Sequence, residues 1–230
     1  MNTLNDRLQA VKSRIAAACR ACGRDPRDIV LVAVSKSFPA ADVRLAHAVG
    51  QRDFGENYAQ EALDKMSALA DLELTWHYIG PIQSNKTRAL ASRFDWVHSI
   101  DRLKVAERLS AQRAPERAPL PVCIQVNLSG EASKSGVAPP ELGALAHAVA
   151  GLPRLRLRGL MAIPEATTDA ALARRAFERL RALKEMLAAE GLALDTLSMG
   201  MSGDLEAAIA AGATMVRVGT AIFGPRPGAA

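Results

Sequence analysis

The chain has 230 residues, 49% of them hydrophobic and 23% charged, which suits one large globular domain and argues against disorder. Its net charge of +5 raises nucleic-acid binding as a reading. The arginines, however, are interleaved with Glu and Asp, as in Arg174 to Glu185, and form no basic stripe laced with aromatics.

The first element is a helix in which Leu4, Leu8, Val11 and Ile15 recur at helical spacing, with Gly23 as its stop. The pair Cys19-x-x-Cys22 lies at the end of this helix, and Cys123 stands apart. Too few Cys or His neighbours surround them for a metal site, so small apolar residues in a reducing compartment are expected. The segment Met1 to Gln9 is polar, unlike a signal peptide, and no apolar run reaches the ~18 residues needed to span a membrane. A cytoplasmic protein without metal or membrane contact is expected.

Ile29 to Val34 is a continuous β-branched run typical of a strand buried on both faces. Strands then alternate with helices: helix Ala40 to Val49, strand Asp53 to Asn57, helix Tyr58 to Ala70, strand Thr75 to Ile79, helix Asn85 to Ser92 and strand Trp96 to Ile100. Helix Arg102 to Gln112, a polar loop from Arg113 to Pro119, strand Pro121 to Leu128, helix Pro140 to Val149 and strand Leu155 to Ile163 follow. The longest helix, Asp169 to Glu190, reads with Leu172, Ala176, Leu180, Leu183 and Leu187 on one stripe and Arg181 facing Glu185 one turn on. Strand Leu194 to Met199, helix Asp204 to Ala211 and strand Met215 to Ile222 complete the series. Eight strands without a hairpin signal predict an α/β fold: a single (β/α)8 TIM barrel over residues 1–230, with an extra N-terminal helix in the place an eighth outer helix would take. A doubly wound open sheet is the alternative.

In such barrels the site lies at the C-terminal ends of the strands. Those ends carry no carboxylate pair for glycoside hydrolysis and no multi-histidine metal set. Lys36 ends the first strand, where partial desolvation favours the neutral amine needed for imine formation; a solvated lysine at a strand end is the plain alternative. Lys86 and Lys134 read as surface or anion-contacting groups. The stretch Ser198-Met-Gly-Met-Ser-Gly-Asp204 brings two glycines and Ser202 before a helix, and Gly219-Thr220 closes the last strand. Loops after strands seven and eight often hold phosphate in barrels, although Ser202 alone could be a simple helix cap. Arg217, two residues before Gly219, faces the same side of its strand as that glycine. Pointing inward it places a cation beside the ring of any phosphate-tethered ligand; pointing outward it packs under a helix. A phosphate cup, a lysine and an inward arginine together describe a site for pyridoxal 5′-phosphate (PLP).

Longer blocks carry a resemblance: Leu31-Val-Ala-Val-Ser-Lys36, Phe54-Gly-Glu-Asn-Tyr58, Trp76 to Lys86, Gln125 to Gly136, Gly159 to Pro164 and Leu197 to Gly224. Together they resemble the pyridoxal phosphate homeostasis proteins (the YggS/PROSC family) almost from end to end. The resemblance implies a barrel like the N-terminal domain of alanine racemase, with Lys36 as the Schiff-base lysine. It also implies phosphate held by Ser202, Gly219 and Thr220, a pyridine nitrogen facing Arg217, Asn57 and His77 near the cofactor, and Met199 to Ser202 walling the pocket. Gly203 stands where a more polar residue is usual. Family members are regarded as carriers or regulators of cellular PLP and of amino-acid and keto-acid balance, which implies no catalytic residue, PLP-dependent apoenzymes as partners, and a monomer. A low-activity amino-acid racemase is the competing reading, but Tyr58 and Tyr78, the two tyrosines, match no second catalytic base. A phosphate-binding barrel without PLP is a third.

Overall fold

The β-branched run after Pro26 forms strand β1 (Val30–Val34), and every later strand runs parallel to its neighbour. The computed structural model describes residues 3–129, 135–165, 167 and 169–225. In chain order the elements are α1 (Leu4–Ala21), β1, α2 (Ala40–Ala48), β2 (Asp53–Glu56), α3 (Ala59–Ala68), β3 (Thr75–Tyr78), α4 (Thr87–Arg93), β4 (Trp96–Ile100) and α5 (Leu103–Gln112). They continue with β5 (Leu120–Gln125), α6 (Leu142–Ala150), β6 (Leu155–Met161), α7 (Ala170–Ala189), β7 (Thr196–Ser198), α8 (Leu205–Ala210), β8 (Met215–Val218) and α9 (Thr220–Phe223). β1 pairs with β8 in parallel, Val32 opposite Arg217, so the sheet closes into an eight-stranded barrel. The open-sheet alternative is excluded.

Helix α1 starts at a capping box in which Thr3 and Asp6 satisfy each other's backbone N–H groups. It buries Leu8, Val11, Ile15 and Cys19 and packs against α2, α8 and α9, closing the outer ring of helices where expected. Cys19 is thus an apolar packing residue, and all three cysteines are free thiols.

Several ends differ from the sequence reading. β8 stops at Val218, because Gly219 turns the chain and Thr220–Phe223 is helical rather than strand. β5 stops at Gln125, after which Val126 makes a single bridge to Val137. The buried stripe of α7 is Ala173, Phe177, Leu180 and Leu187, while Leu172 is exposed. Phe177 outweighs Ala176 as an apolar anchor, which rotates the buried face away from Leu172. The Arg181–Glu185 ion pair forms at 2.8 Å.

Aliphatic and aromatic residues fill the layer between barrel and helices, among them Phe54, Phe94, Leu120, Leu160 and Phe177. The space inside the barrel differs. Val32, Val34 and Ile79 converge on Gly55, and His77, His98, Ser198 and Arg217 are buried there as a hydrogen-bonded series. Among the described residues, no helix is long and apolar enough to cross a membrane and no metal-binding cluster of His, Cys, Asp and Glu occurs.

Candidate functional site

The C-terminal strand ends surround a cavity of about 250 Å³ whose lining includes Lys36, Asn57, Ser202, Arg217, Gly219 and Thr220. Six of the eight expected residues therefore meet at one mouth. Its apolar walls include Val34, Phe38, Ile79 and Met201.

Lys36 follows β1 and is half-buried. Residues that the sequence reading overlooked hold the backbone on both sides of it. Lys65 donates to the Ser35 carbonyl at 2.7 Å and to Glu56 and Glu61 at 2.7 and 2.6 Å. Glu61 in turn accepts the Ser37 N–H at 2.6 Å, and Ser37 sits at φ +67°, a left-handed conformation that costs a non-glycine residue. Glu56 is fully buried and accepts from the Ser35 hydroxyl. Burial pushes its carboxyl above the usual range while Lys65 pulls it back down. The i, i+4 spacing of Glu61 and Lys65 was the visible signal for part of this cluster.

Asn57 follows β2 and keeps a buried Oδ1 without a hydrogen-bond partner among the described residues. Gly80 makes its placement possible: a Cβ there would stand 2.3 Å from the Asn57 carbonyl oxygen. A buried amide oxygen without a donor costs free energy, and Asn57 lines the cavity, where a ligand's donor can reach it.

The loops after β7 and β8 form the other wall. Gly200 has φ +94°, and a Cβ would stand 2.5 Å from that of Ala208, so only glycine brings this loop against α8. Asp204 accepts from the Met201 N–H at 2.5 Å, and Ser202 Oγ accepts from the Ala221 N–H at 3.4 Å. The two loops are thereby tied together beside Gly219 and Thr220. From behind, Arg14 of α1 donates to the Ser202 carbonyl at 3.0 Å and pairs with Glu206, and Arg7 donates to the Ile222 carbonyl at 2.7 Å.

Arg217 points inward. Its guanidinium is buried, donates to Ser198 Oγ at 2.8 Å and to the Ala162 carbonyl at 3.0 Å, and lines the cavity. Burial brings its pKa down to about 10, opposed by Asp204 and Cys123, so it remains a cation near neutrality.

Two expected residues sit elsewhere. Met199 is fully buried in the apolar layer outside the barrel, because Ser198 takes the inward place and strand side chains alternate; Met201 lines the cavity instead. His77 points into the barrel below the mouth, bonded to His98 and Asp53 and stacked on Trp96. It does not line the cavity. Lys86 precedes α4 without a side-chain capping hydrogen bond and is not among the lining residues of the cavity, and Lys134 lies outside the described residues.

Comparison with known proteins gives the family and agrees with the barrel fold. A family model for the alanine racemase N-terminal domain matches residues 7–227. The pyridoxal phosphate homeostasis protein of Pseudomonas aeruginosa is 63% identical over 226 residues, covering 98% of this chain and 97% of that one. The protein of that name from Escherichia coli K12 is 53% identical over 234 residues, covering 98% of each. Among solved structures, PipY of Synechococcus elongatus with PLP bound superposes with a TM-score of 0.86 at 40% identity, covering 96% of this chain and all of that one. An alanine racemase of Clostridium difficile, at 13% identity and a TM-score of 0.76, shares the fold across 58% of its length.

Proposed function

The chain belongs to the alanine racemase N-terminal domain family, in its pyridoxal phosphate homeostasis branch, and from that premise we propose that it stores PLP at the barrel mouth and hands it on. The observation that carries this reading is one cavity shared by a half-buried lysine, a buried arginine and a backbone-rich loop pair.

The residues fit the cofactor. Ser202, Gly219 and Thr220 take the phosphate through backbone N–H groups and two hydroxyls. The Asn57 amide, whose Oδ1 has no partner among the described residues, meets a hydrogen-bond donor of the ligand. Lys36 holds PLP as a Schiff base: its neutral amine joins the aldehyde carbon through a C=N bond, with one water released, and reversal by water frees the cofactor. Arg217 places a cation at the pyridine nitrogen and disfavours its protonation.

PLP supplies an electron sink in enzymes, and that sink is weak while the ring nitrogen stays unprotonated. The residues favour retention over turnover in a second way as well. Among the described lining residues, the titratable side chains are Lys36 and Arg217, with no carboxylate, histidine or tyrosine beside them. Tyr78 donates its hydroxyl to the Pro81 carbonyl and burial pushes its pKa up to about 12, while Tyr58 is exposed away from the cavity. The protein acts in this reading as a cytoplasmic, monomeric carrier rather than an enzyme. Its recipients are PLP-dependent apoenzymes, and its effect reaches the cell's amino-acid and keto-acid balance.

The test is hand-over. Protein loaded with PLP and freed of excess cofactor is mixed with the apo form of a PLP enzyme, and recovered activity is followed. Recovery by the loaded wild type, no recovery with Lys36→Ala treated identically, and no α-proton exchange on alanine are expected. Steady racemisation dependent on Lys36 would replace the carrier by an enzyme.

A further inference from the structure

Arg217 is held from behind by a line of side chains that crosses the barrel interior. Its Nη1 donates to Ser198 Oγ at 2.8 Å, and Ser198 Oγ meets His98 Nδ1 at 2.7 Å. His98 Nε2 meets His77 Nδ1 at 2.9 Å, and His77 Nε2 meets Asp53 Oδ1 at 3.0 Å. His77 and His98 are fully buried, Ser198 likewise, and the Asp53 side chain is 30% exposed. Asp53 opens β2 and therefore lies at the end of the barrel opposite the cavity.

Proton accounting leaves one satisfactory arrangement. A guanidinium can only donate, so Ser198 accepts from Arg217. Ser198 then spends its single proton on His98 Nδ1. His98 must donate from Nε2 to His77 Nδ1, and His77 donates from Nε2 to the Asp53 carboxylate. Every bond points from Arg217 towards Asp53, and both imidazoles are neutral Nε2–H tautomers. With His98 reversed, the buried Ser198 hydroxyl proton has no acceptor among the described residues. His77 must then either turn a bare lone pair on a carboxylate or become a second buried cation near Arg217, and both are costly.

The surroundings agree. His98 is held well below the ordinary histidine value by burial, then by His77 and Arg217. Trp96 stacks on His77 and abuts His98 edge-on. The charges beyond it, Arg158 over the Trp96 ring and its partner Asp195, are already paired, and Cys123, its thiol pushed up to about 12 by burial, stays protonated.

We propose that Ser198, His98, His77 and Asp53 are positioning residues for the cofactor: a one-way hydrogen-bond chain, anchored on a carboxylate at the far end of the barrel, that aims Arg217 at the pyridine ring. The proposal rests on the PLP reading above. Direct phosphate and imine contacts are untouched by it, so its signature is a change at the ring nitrogen rather than loss of covalent attachment.

Two measurements test it. In the protein without PLP, long-range ¹⁵N–¹H correlation of the histidine rings is expected to give the neutral Nε2–H pattern for both His77 and His98 at neutral pH. An Nδ1–H pattern at His98 would overturn the chain. In protein loaded with ring-¹⁵N PLP, Ser198→Ala and His98→Leu are expected to move the ring-nitrogen shift towards its protonated value at the acid end of a pH series. They should also speed PLP release about tenfold, the size of one charge-assisted hydrogen bond. Ser198→Thr, which keeps the hydroxyl, and His98→Gln, which keeps one acceptor and one donor, are expected to restore the wild-type profile. Circular dichroism checks that each variant is folded; should Ala and Leu variants unfold, the Thr and Gln pair read against Asp53→Leu carries the comparison. Wild-type pH profiles in all folded variants would overturn the proposal. No ring-¹⁵N signal from bound PLP in the wild type would instead overturn the PLP reading itself.

Discussion

Arg217 is a buried cation whose hydrogen bonds, among the described residues, go to neutral oxygens. Such a group is expensive unless a ligand or a polar network compensates it, and here the open side faces the cavity. Arg217→Leu is therefore expected to leave the barrel folded, weaken PLP binding by tenfold or more, and raise the protonation of the bound ring, as read from the pH dependence of its absorption. Lys36→Ala is expected to keep a weaker non-covalent complex through the phosphate loops. His98 gives a prediction on stability. Its pKa falls from the ordinary 6.5 to well below it on folding, so between those values the unfolded chain binds a proton that the native state refuses. Its contribution is complete above pH 6.5 and is lost as pH falls, at roughly 1 kcal/mol per pH unit. Urea unfolding at pH 7.5, 6.5 and 5.5 should show a shallower acid loss in His98→Gln than in the wild type; parallel losses would contradict the assignment. At this scale the sequence was readable where chemistry and strand ends coincide, as at Lys36, Ser202, Arg217, Gly219 and Thr220. It was not readable at Ser198, His98, Glu56 or Lys65, because their roles depend on which neighbours the barrel's register brings opposite. Met199 was misplaced for the same reason, since one step along β7 exchanges the inside of the barrel for the outside.

Among the elements, α1 does more than fill the ring. Its apolar stripe of Leu8, Val11, Ile15 and Cys19 is buried, and Arg14 and Arg7 hold the carbonyls of Ser202, in the loop after β7, and of Ile222, in α9. Arg14→Ala removes a half-exposed ion pair and one carbonyl contact, so a stability loss of about 1 kcal/mol or less is expected. PLP affinity should fall several-fold, measured by titration against the unaltered protein. Leu8→Ala, by contrast, leaves a core cavity and should cost about 2–5 kcal/mol. Gly200→Ala forces a Cβ into Ala208 at a positive φ and is expected to displace the loop and impair both stability and phosphate retention. The alternation of strands and helices was legible because apolar runs and helical spacing are local signals. The ends of β5 and β8 were not, since a parallel strand stops where its neighbour's ladder stops. The face of α7 turned on Phe177, which a stripe drawn through leucines passes over.

On the scale of the whole molecule, the barrel separates two tasks. The outer apolar layer carries stability, while the interior spends its volume on a polar line and a mouth that opens to solvent. Alanine racemase of Clostridium difficile shares this fold over 58% of its length. Ligand binding should stabilise the whole barrel: PLP at a hundred times its Kd adds about 2.7 kcal/mol, a rise in Tm of roughly 2–4 °C per kcal/mol for a chain of this size. Calorimetry with PLP, and with inorganic phosphate as the weaker ligand, checks this. The most direct measurement is the visible spectrum of the protein with PLP before and after borohydride, followed by peptide mass mapping. An imine band that disappears on reduction, leaving a pyridoxyl adduct on Lys36 alone, is the result the account predicts. No band, or an adduct spread over surface lysines with Lys36 unmodified, would contradict it.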